Sequence, residues 1–434
     1  MKDVFTLLFV FVSCILTSVS SLIDGILPDA TFVKHYCKSE GMPLLPNEDT
    51  AATENDIMVQ RFIDAGAIII GTTVMTEFGR CPLGYNSHYQ GPLNPYNENH
   101  YSGGSSGGSV VAVMTGIVPV AISLDGGGSI RLPAAMSGAV GLAPTFGRIP
   151  CDAADCLASG NIHPGTNTAT TTDTALAYAL LAQKAPANHF YAQLYDGGKE
   201  GPPRPHLTDF DRIDDLSDVR IGVFWDYFKD ASPEVVANCK DALVHFENRG
   251  AKIVEVVIPN LNAMDQAHHM SISMEMSMIQ EKEYFCRDDL EYATKIQLSL
   301  GASMSGVEFL ACNRIRGWAM QYWKKLFAEK FDVFVTPGCP ITAPPLPKGA
   351  LELGECNMPL FVTVMRYVFL ANLAGLPAMT TPIAYSEQNG IPISLQLMAD
   401  HWNDALLLRL SHFVETKIYK RKDPKHFVKI SLEG

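Results

Sequence analysis

No C-x-x-C pair occurs among the ten cysteines of this 434-residue chain, so neither a zinc-ribbon spacing nor a redox dithiol is encoded. Cys151 and Cys156, beside Asp152 and Asp155, admit a metal loop, against which stands the plainer reading of a surface turn. Positive charge is scarce: 33 Lys and Arg against 46 Asp and Glu leave a net charge of −13. A chain without a basic stripe has nothing to neutralise a phosphate backbone, which argues against a nucleic-acid partner. N-x-S/T glycosylation sequons are absent as well. Charged residues make up 18% and hydrophobic residues 47%, the composition of a globular protein long enough to bury one large core or two smaller ones.

At the N-terminus, Val4 to Ile23 contains no charged residue and runs from an apolar segment into Thr17-Ser18-Val19-Ser20-Ser21. That layout suits a signal peptide or a short membrane anchor over residues 1–23. The cancelled charges of Lys2 and Asp3 and the six Ser and Thr residues in the stretch speak against both. A mis-assigned start is the third reading. The compartment stays open, with a membrane-associated or secretory location favoured by the apolar start.

Beyond it, apolar runs at 67–71, 118–123, 219–225, 252–258, 332–336, 378–382 and 393–397 read as strands. Helical patterns lie at 54–65, 106–115, 234–249, 264–285, 306–330, 361–374 and 402–417. This alternation predicts an α/β fold, a central sheet covered by α-helices on both faces. Residues 184–218, with Pro202-Pro203 and Pro205, show no periodicity and read as a long loop. Residues 24–434 are expected to form one domain, its last strands completing the same sheet.

Two Gly/Ser segments carry the chemistry. Tyr101-Ser102-Gly103-Gly104-Ser105-Ser106-Gly107-Gly108-Ser109 opens onto a helical stretch, so its backbone amides should face a cleft. A phosphate loop would end in Gly-Lys-Ser/Thr, which is missing. The same run satisfies G-x-S-x-G, the nucleophile elbow, but an elbow needs an apolar strand before its serine. Here Leu93 to His100 is polar and turn-like. In Ser123-Leu124-Asp125-Gly126-Gly127-Gly128-Ser129-Ile130-Arg131 an apolar strand does run into three glycines and a serine. Such glycines let several N–H groups converge on one point, as an oxyanion hole requires. Taken alone, the segment reads equally well as a flexible turn.

Together, Ser105 and Ser129, 24 positions apart (129 − 105), resemble the amidase-signature family. The resemblance implies a bridging serine in a cis peptide at Ser105 and a nucleophile at Ser129. It implies oxyanion donors at Gly126, Gly127, Gly128 and the Ser129 amide, with Ser106 and Arg131 also in the substrate-binding set. Arg131 has a second reading, as a fork of donors that orders the loop, and this is preferred. Segments 65–78, 332–337, 372–378 and 390–396 resemble other parts of the same family, so the similarity covers roughly residues 52–434. The large sheet it implies is mixed. The Asp-Gly-Gly-Gly-Ser-Ile-Arg segment, Tyr85–Tyr89 and the 252–258 strand look most similar to plant-type fatty acid amide hydrolases, which split N-acylethanolamines.

The family's base is a lysine, for which Lys34 is the best match, in Val33-Lys34-His35 with Gly41-Met42-Pro43 following. Lys38 is the second choice, and an exposed surface charge is the plain alternative for either. The Thr-Thr-x-Gly segment that normally follows is replaced, and little chain precedes Lys34, so the N-terminal part looks truncated or rearranged. A basic lysine must be neutral, which requires its pKa to fall well below about 10.4. The reaction so implied needs no metal or organic cofactor. Met270, Met274, Met276 and Met278, with Ile272 and Ile279, read either as ordinary core or as the lining of an acyl channel. The expected partner is a small amide with an apolar acyl chain, with membrane association and a homodimer both admitted. The other readings are a glutaminase of the amidotransferase type, which passes ammonia to a partner, and an impaired relative that has lost its base.

Overall fold

The computed structural model describes residues 9–12, 55–151, 160–186, 205–279 and 290–428. Ten strands appear in chain order: β1 (Phe9–Val12), β2 (Ile68–Thr72), β3 (Val120–Asp125), β4 (Val140–Ala143), β5 (His163–Thr168), β6 (Arg220–Val223), β7 (Lys252–Glu255), β8 (Val333–Pro337), β9 (Ala378–Tyr385) and β10 (Pro392–Ala399). They form one mixed sheet in the order β2-β1-β3-β5-β4-β9-β10-β8-β6-β7. The late strands β9 and β10 therefore lie mid-sheet and join the early strands to β8, β6 and β7. Pairing is parallel towards both edges and antiparallel through the centre. Part of the stretch read as leader or anchor, Phe9–Val12, is the strand between β2 and β3. The rest of residues 1–23 lies outside the described residues.

The principal helices are α1 (Ile57–Asp64), α2 (Gly107–Met114), α3 (Arg131–Ser137), α4 (Thr171–Leu181), α5 (Pro233–Glu247), α6 (Leu261–Ile279), α7 (Tyr292–Ser303), α8 (Gly306–Glu329), α9 (Met358–Val364), α10 (Phe369–Ala374) and α11 (Asp404–Lys417). Alternation along the central strands sorts the two faces. Val333 and Val335 of β8 and Ile393, Leu395 and Leu397 of β10 pack with α4, α5 and α11 in one core. Phe334 and Met398 face the other way, into a core with α6, α8 and α10. Every residue of β10 is buried, as expected for a strand covered on both sides. The even-numbered positions of β10 place Ser394 and Gln396 beneath α3, where Ser394 Oγ donates to the Ala135 carbonyl at 3.3 Å.

Three departures from the sequence expectations have local causes. The helix expected over 361–374 is two helices, α9 and α10. At the break, the Tyr367 carbonyl accepts from Gln396 Nε2 at 2.8 Å and the Val368 carbonyl from Arg131 Nη1 at 2.9 Å. Side chains thus take up carbonyls that a continuous helix would bond to its own backbone. Strands β4 and β5 were not expected, because Val-Gly-Leu-Ala and His-Pro-Gly-Thr-Asn-Thr carry no apolar alternation; pairing with β3 and β9 makes them strands. Of the expected loop over 184–218, residues 187–204 lie outside the described residues. Its end is pinned by Arg409, whose guanidinium donates to the Arg212 and Asp215 carbonyls and to Asp218. Among the described residues, no helix is long and apolar enough to cross a membrane, and no cluster could hold a metal ion.

Candidate active site

Strand β3 ends at Asp125, and the chain then curls through three glycines to Ser129 before α3 begins. Asp125 organises the curl. Its carboxylate accepts the Gly128 N–H at 2.7 Å, the Ile130 N–H at 3.1 Å and the Arg131 N–H at 3.3 Å, satisfying amides that the start of α3 leaves without helical partners. Gly128 has φ +116°, and a Cβ there would sit 2.5 Å from Val368 Cγ2, so only glycine fits.

The Asp125 charge is answered by Arg131, both side chains being fully buried. Arg131 Nε and Nη2 donate to the two carboxylate oxygens at 3.0 Å each. Its remaining donors reach Asn372 Oδ1 at 2.5 Å, Gln396 Oε1 at 2.8 Å and the Val368 carbonyl. Asn372 Nδ2 donates in turn to the Asp125 carbonyl at 2.7 Å. Burial alone would raise the Asp125 pKa, but the Arg131 charge and the hydrogen bonds from Arg131 and Asn372 outweigh it and hold the carboxyl well below the usual range. Arg131 is therefore spent on the loop and does not line the cavity. These bonds are those of a fork that orders the loop, the role preferred for Arg131 from the sequence.

The first Gly/Ser segment is stitched against the 75–84 turn. Gly103 N–H donates to the Leu83 carbonyl at 2.9 Å and Gly104 N–H to the Pro82 carbonyl at 2.8 Å. The Gly104–Ser105 peptide is cis, the geometry that the resemblance implies for this segment. The Ser106 N–H donates to the Ser129 carbonyl at 3.3 Å, which ties the two serine loops together. Ser106 is buried at the start of α2 and is not among the residues that line the cavity.

Ser105, nearly buried, and Ser129, half-buried, both line a cavity of about 240 Å³. Gly126, Gly127 and Gly128 line it as well. Their amides are not equivalent. The Gly128 N–H is taken by Asp125, which removes it from the expected oxyanion donors. Among the described residues, the amides of Gly126, Gly127 and Ser129 donate to no protein acceptor, and they remain available to an oxyanion. The rest of the wall is largely apolar, with Leu124, Leu132, Ile162, Ile272, Met304, Met358, Phe361 and Met365 among its residues. Of the methionine stretch, Met270 and Met276 face the cavity, while Met274 is buried without lining it. Met276 also belongs to a core cluster, so both readings of the stretch apply to it.

Two cavity residues had no signal in the sequence. Phe78 sits in a short turn at φ +50° beside Gly79, Arg80 and Cys81. His268 of α6 is fully buried, and its Nε2 lies 3.0 Å from the Gly126 carbonyl oxygen. A carbonyl only accepts, so Nε2 carries the proton. Burial, aided by the neighbouring His269, lowers the His268 pKa to about 3, and the ring is neutral at neutral pH. No lysine occurs among the described residues of the wall; Lys34 and Lys38 lie outside the described residues.

Residues 30–408, which include both serine loops and the Asp125–Arg131 pair, match a family profile, that of amidase. The chain belongs to the amidase family. Among amidase-family relatives, a fatty acid amide hydrolase of Medicago truncatula is 37% identical over 88% of this chain. This chain spans 62% of that protein's length. A glutamyl-tRNA(Gln) amidotransferase subunit of Koribacter versatilis is 29% identical over 85% of this chain and 79% of its own. A solved structure of a vestigial protein complex bearing on the origins of an s-triazine catabolic enzyme superposes with a TM-score of 0.79. It is 26% identical, over 96% of this chain and 85% of that one.

Proposed function

We propose that this amidase-family chain hydrolyses carboxamides with an apolar acyl group, N-acylethanolamines among them, through an acyl-enzyme on Ser129. The observation that carries this reading is the single cavity where Ser105, Ser129 and the uncommitted Gly126, Gly127 and Ser129 amides meet beside an apolar wall. Ser129 Oγ attacks the amide carbon, and its proton passes through Ser105 to a lysine, for which Lys34 is the candidate. The tetrahedral oxyanion is held by the free amides. The proton then moves to the amine nitrogen as the C–N bond breaks, and water repeats the cycle on the ester.

The apolar wall favours acyl amides over glutamine, although the similarity to amidotransferases makes glutamine the natural control substrate. The test is hydrolysis of amides graded from propionamide to long-chain N-acylethanolamines, and of glutamine, by wild type, Ser129→Ala and Lys34→Ala. Expected are a preference for long acyl chains and a loss of at least about a thousand-fold in kcat for Ser129→Ala. A comparable loss for Lys34→Ala identifies the base. Full activity in Ser129→Ala overturns the reading, and turnover confined to glutamine replaces the substrate class.

A further inference from the structure

The loop that presents Ser129 is anchored on one side by Asp125 and on the other by a histidine outside the loop. His268 lies on α6, a helix packed against α8 and α10, and its Nε2–H meets the Gly126 carbonyl at 3.0 Å. The contact with the next residue is equally close: a Cβ on Gly127 would stand 2.9 Å from His268 Cε1. The peptide joining Gly126 to Gly127 is planar, so its C=O and N–H cannot turn independently. A donor that pins the Gly126 carbonyl therefore pins the Gly127 N–H as well. It also polarises that peptide, making the N–H a stronger donor.

We infer that His268 is a positioning residue for the reaction proposed above, holding the Gly126–Gly127 peptide so that the Gly127 N–H is set to receive the oxyanion formed on Ser129 attack. This inference rests on the Ser129 reading. The groups around the ring keep it a donor. Burial most of all, and then His269 on its own helix, disfavour a second proton; the Gly126 carbonyl and Asp265 oppose them more weakly, and Arg131 across the loop adds the least. With its proton on Nε2 and that proton committed to Gly126, the Nε2 atom cannot serve as a general base. What remains to it is geometry, supplied from a helix and not from the glycine loop.

The variants His268→Met, which fills the space without a donor, and His268→Gln, which keeps one, separate this role from simple packing. For each, kcat and KM are measured on an N-acylethanolamine, with the rate of Ser129 labelling by a fluorophosphonate and the thermal midpoint. The expected result is a fall in kcat and labelling rate of about 10- to 100-fold in His268→Met, short of removing an oxyanion donor outright. KM should stay within about two-fold of wild type, with most of the loss recovered in His268→Gln. Should His268→Met not fold, His268→Asn, whose shorter amide falls short of Gly126, takes its place in the comparison. A folded donor-less variant with wild-type kcat, a loss confined to KM, or a glutamine variant no better than the donor-less one overturns the role of His268 while leaving the Ser129 reading intact. A wild-type protein that neither labels at Ser129 nor cleaves any amide overturns that reading first, and the inference with it.

Discussion

At the scale of single residues, the site depends on a buried ion pair whose members have no substitutes nearby. Replacing Arg131 with Met would leave the buried Asp125 carboxylate without its countercharge and Asn372 and Gln396 without their shared donor. Breaking a buried pair from one side costs about 3–5 kcal/mol. Urea unfolding of Arg131→Met should show a loss of that size, with Ser129 labelling falling in parallel as the glycine curl loosens. A variant as stable as wild type would mean that the curl is held by its glycines and α3 alone. Ser105 and Ser129 stand out in the sequence only as a pair of Gly/Ser segments, since either segment alone admits another reading. The commitment of the Gly128 amide has no such signal, since it depends on where the Asp125 side chain turns.

At the scale of elements, the break between α9 and α10 ties the sheet to the site. Tyr367 and Val368 lie in the turn between the two helices, and their carbonyls accept from Gln396 of β10 and Arg131 of α3. Gln396→Leu removes the partner of the Tyr367 carbonyl and one acceptor of Arg131 at once. Each buried polar group left unpaired costs about 1–3 kcal/mol, so a loss of at least about 2 kcal/mol is expected on chemical unfolding. Unchanged stability would show that the two helices are separated by local chain preference. The sequence suggests one helix here because its apolar spacing continues through the break. Only the contacts with β10 and α3 show that two of its carbonyls are engaged elsewhere. Strands β4 and β5 were missed for the converse reason: their residues are poor strand formers that neighbouring strands recruit.

At the scale of the whole molecule, two histidines are buried as neutral rings. Burial lowers His163 to about 4 and His268 to about 3 from the ordinary 6.5. The unfolded chain therefore takes up protons below pH 6.5 that the folded chain refuses. By linkage, stability falls as the pH drops from about 6.5 towards 4, at about 1.4 kcal/mol per unit for each such ring. Below their folded values both states are protonated, and the slope from these rings disappears. Asp125 adds its own loss only at lower pH, as the unfolded carboxyl near 3.8 begins to take a proton that its folded counterpart resists. His269, Glu275 and Glu291, whose folded values are raised, act with the opposite sign, so the test is a difference. The denaturant midpoint of wild type relative to a folded His268→Gln protein should fall from pH 7 towards pH 4. A flat difference would mean that the His268 ring becomes accessible to protons before global unfolding.

The sequence by itself determined the α/β class, most of the strands, and the two serines, because hydrophobic periodicity and glycine-rich turns are local properties of a chain. It also pointed to the amidase family through short motifs that survive as contiguous words. Tertiary structure alone decided which glycine amide is taken by Asp125, that the Arg131 guanidinium is committed to the loop, and that His268 from α6 meets the Gly126 carbonyl. Those assignments depend on contacts between distant segments. Such contacts are made only when a ten-stranded sheet brings β3, β10 and the helices above them to one place, and no local pattern records which partner a carbonyl or an amide will find there.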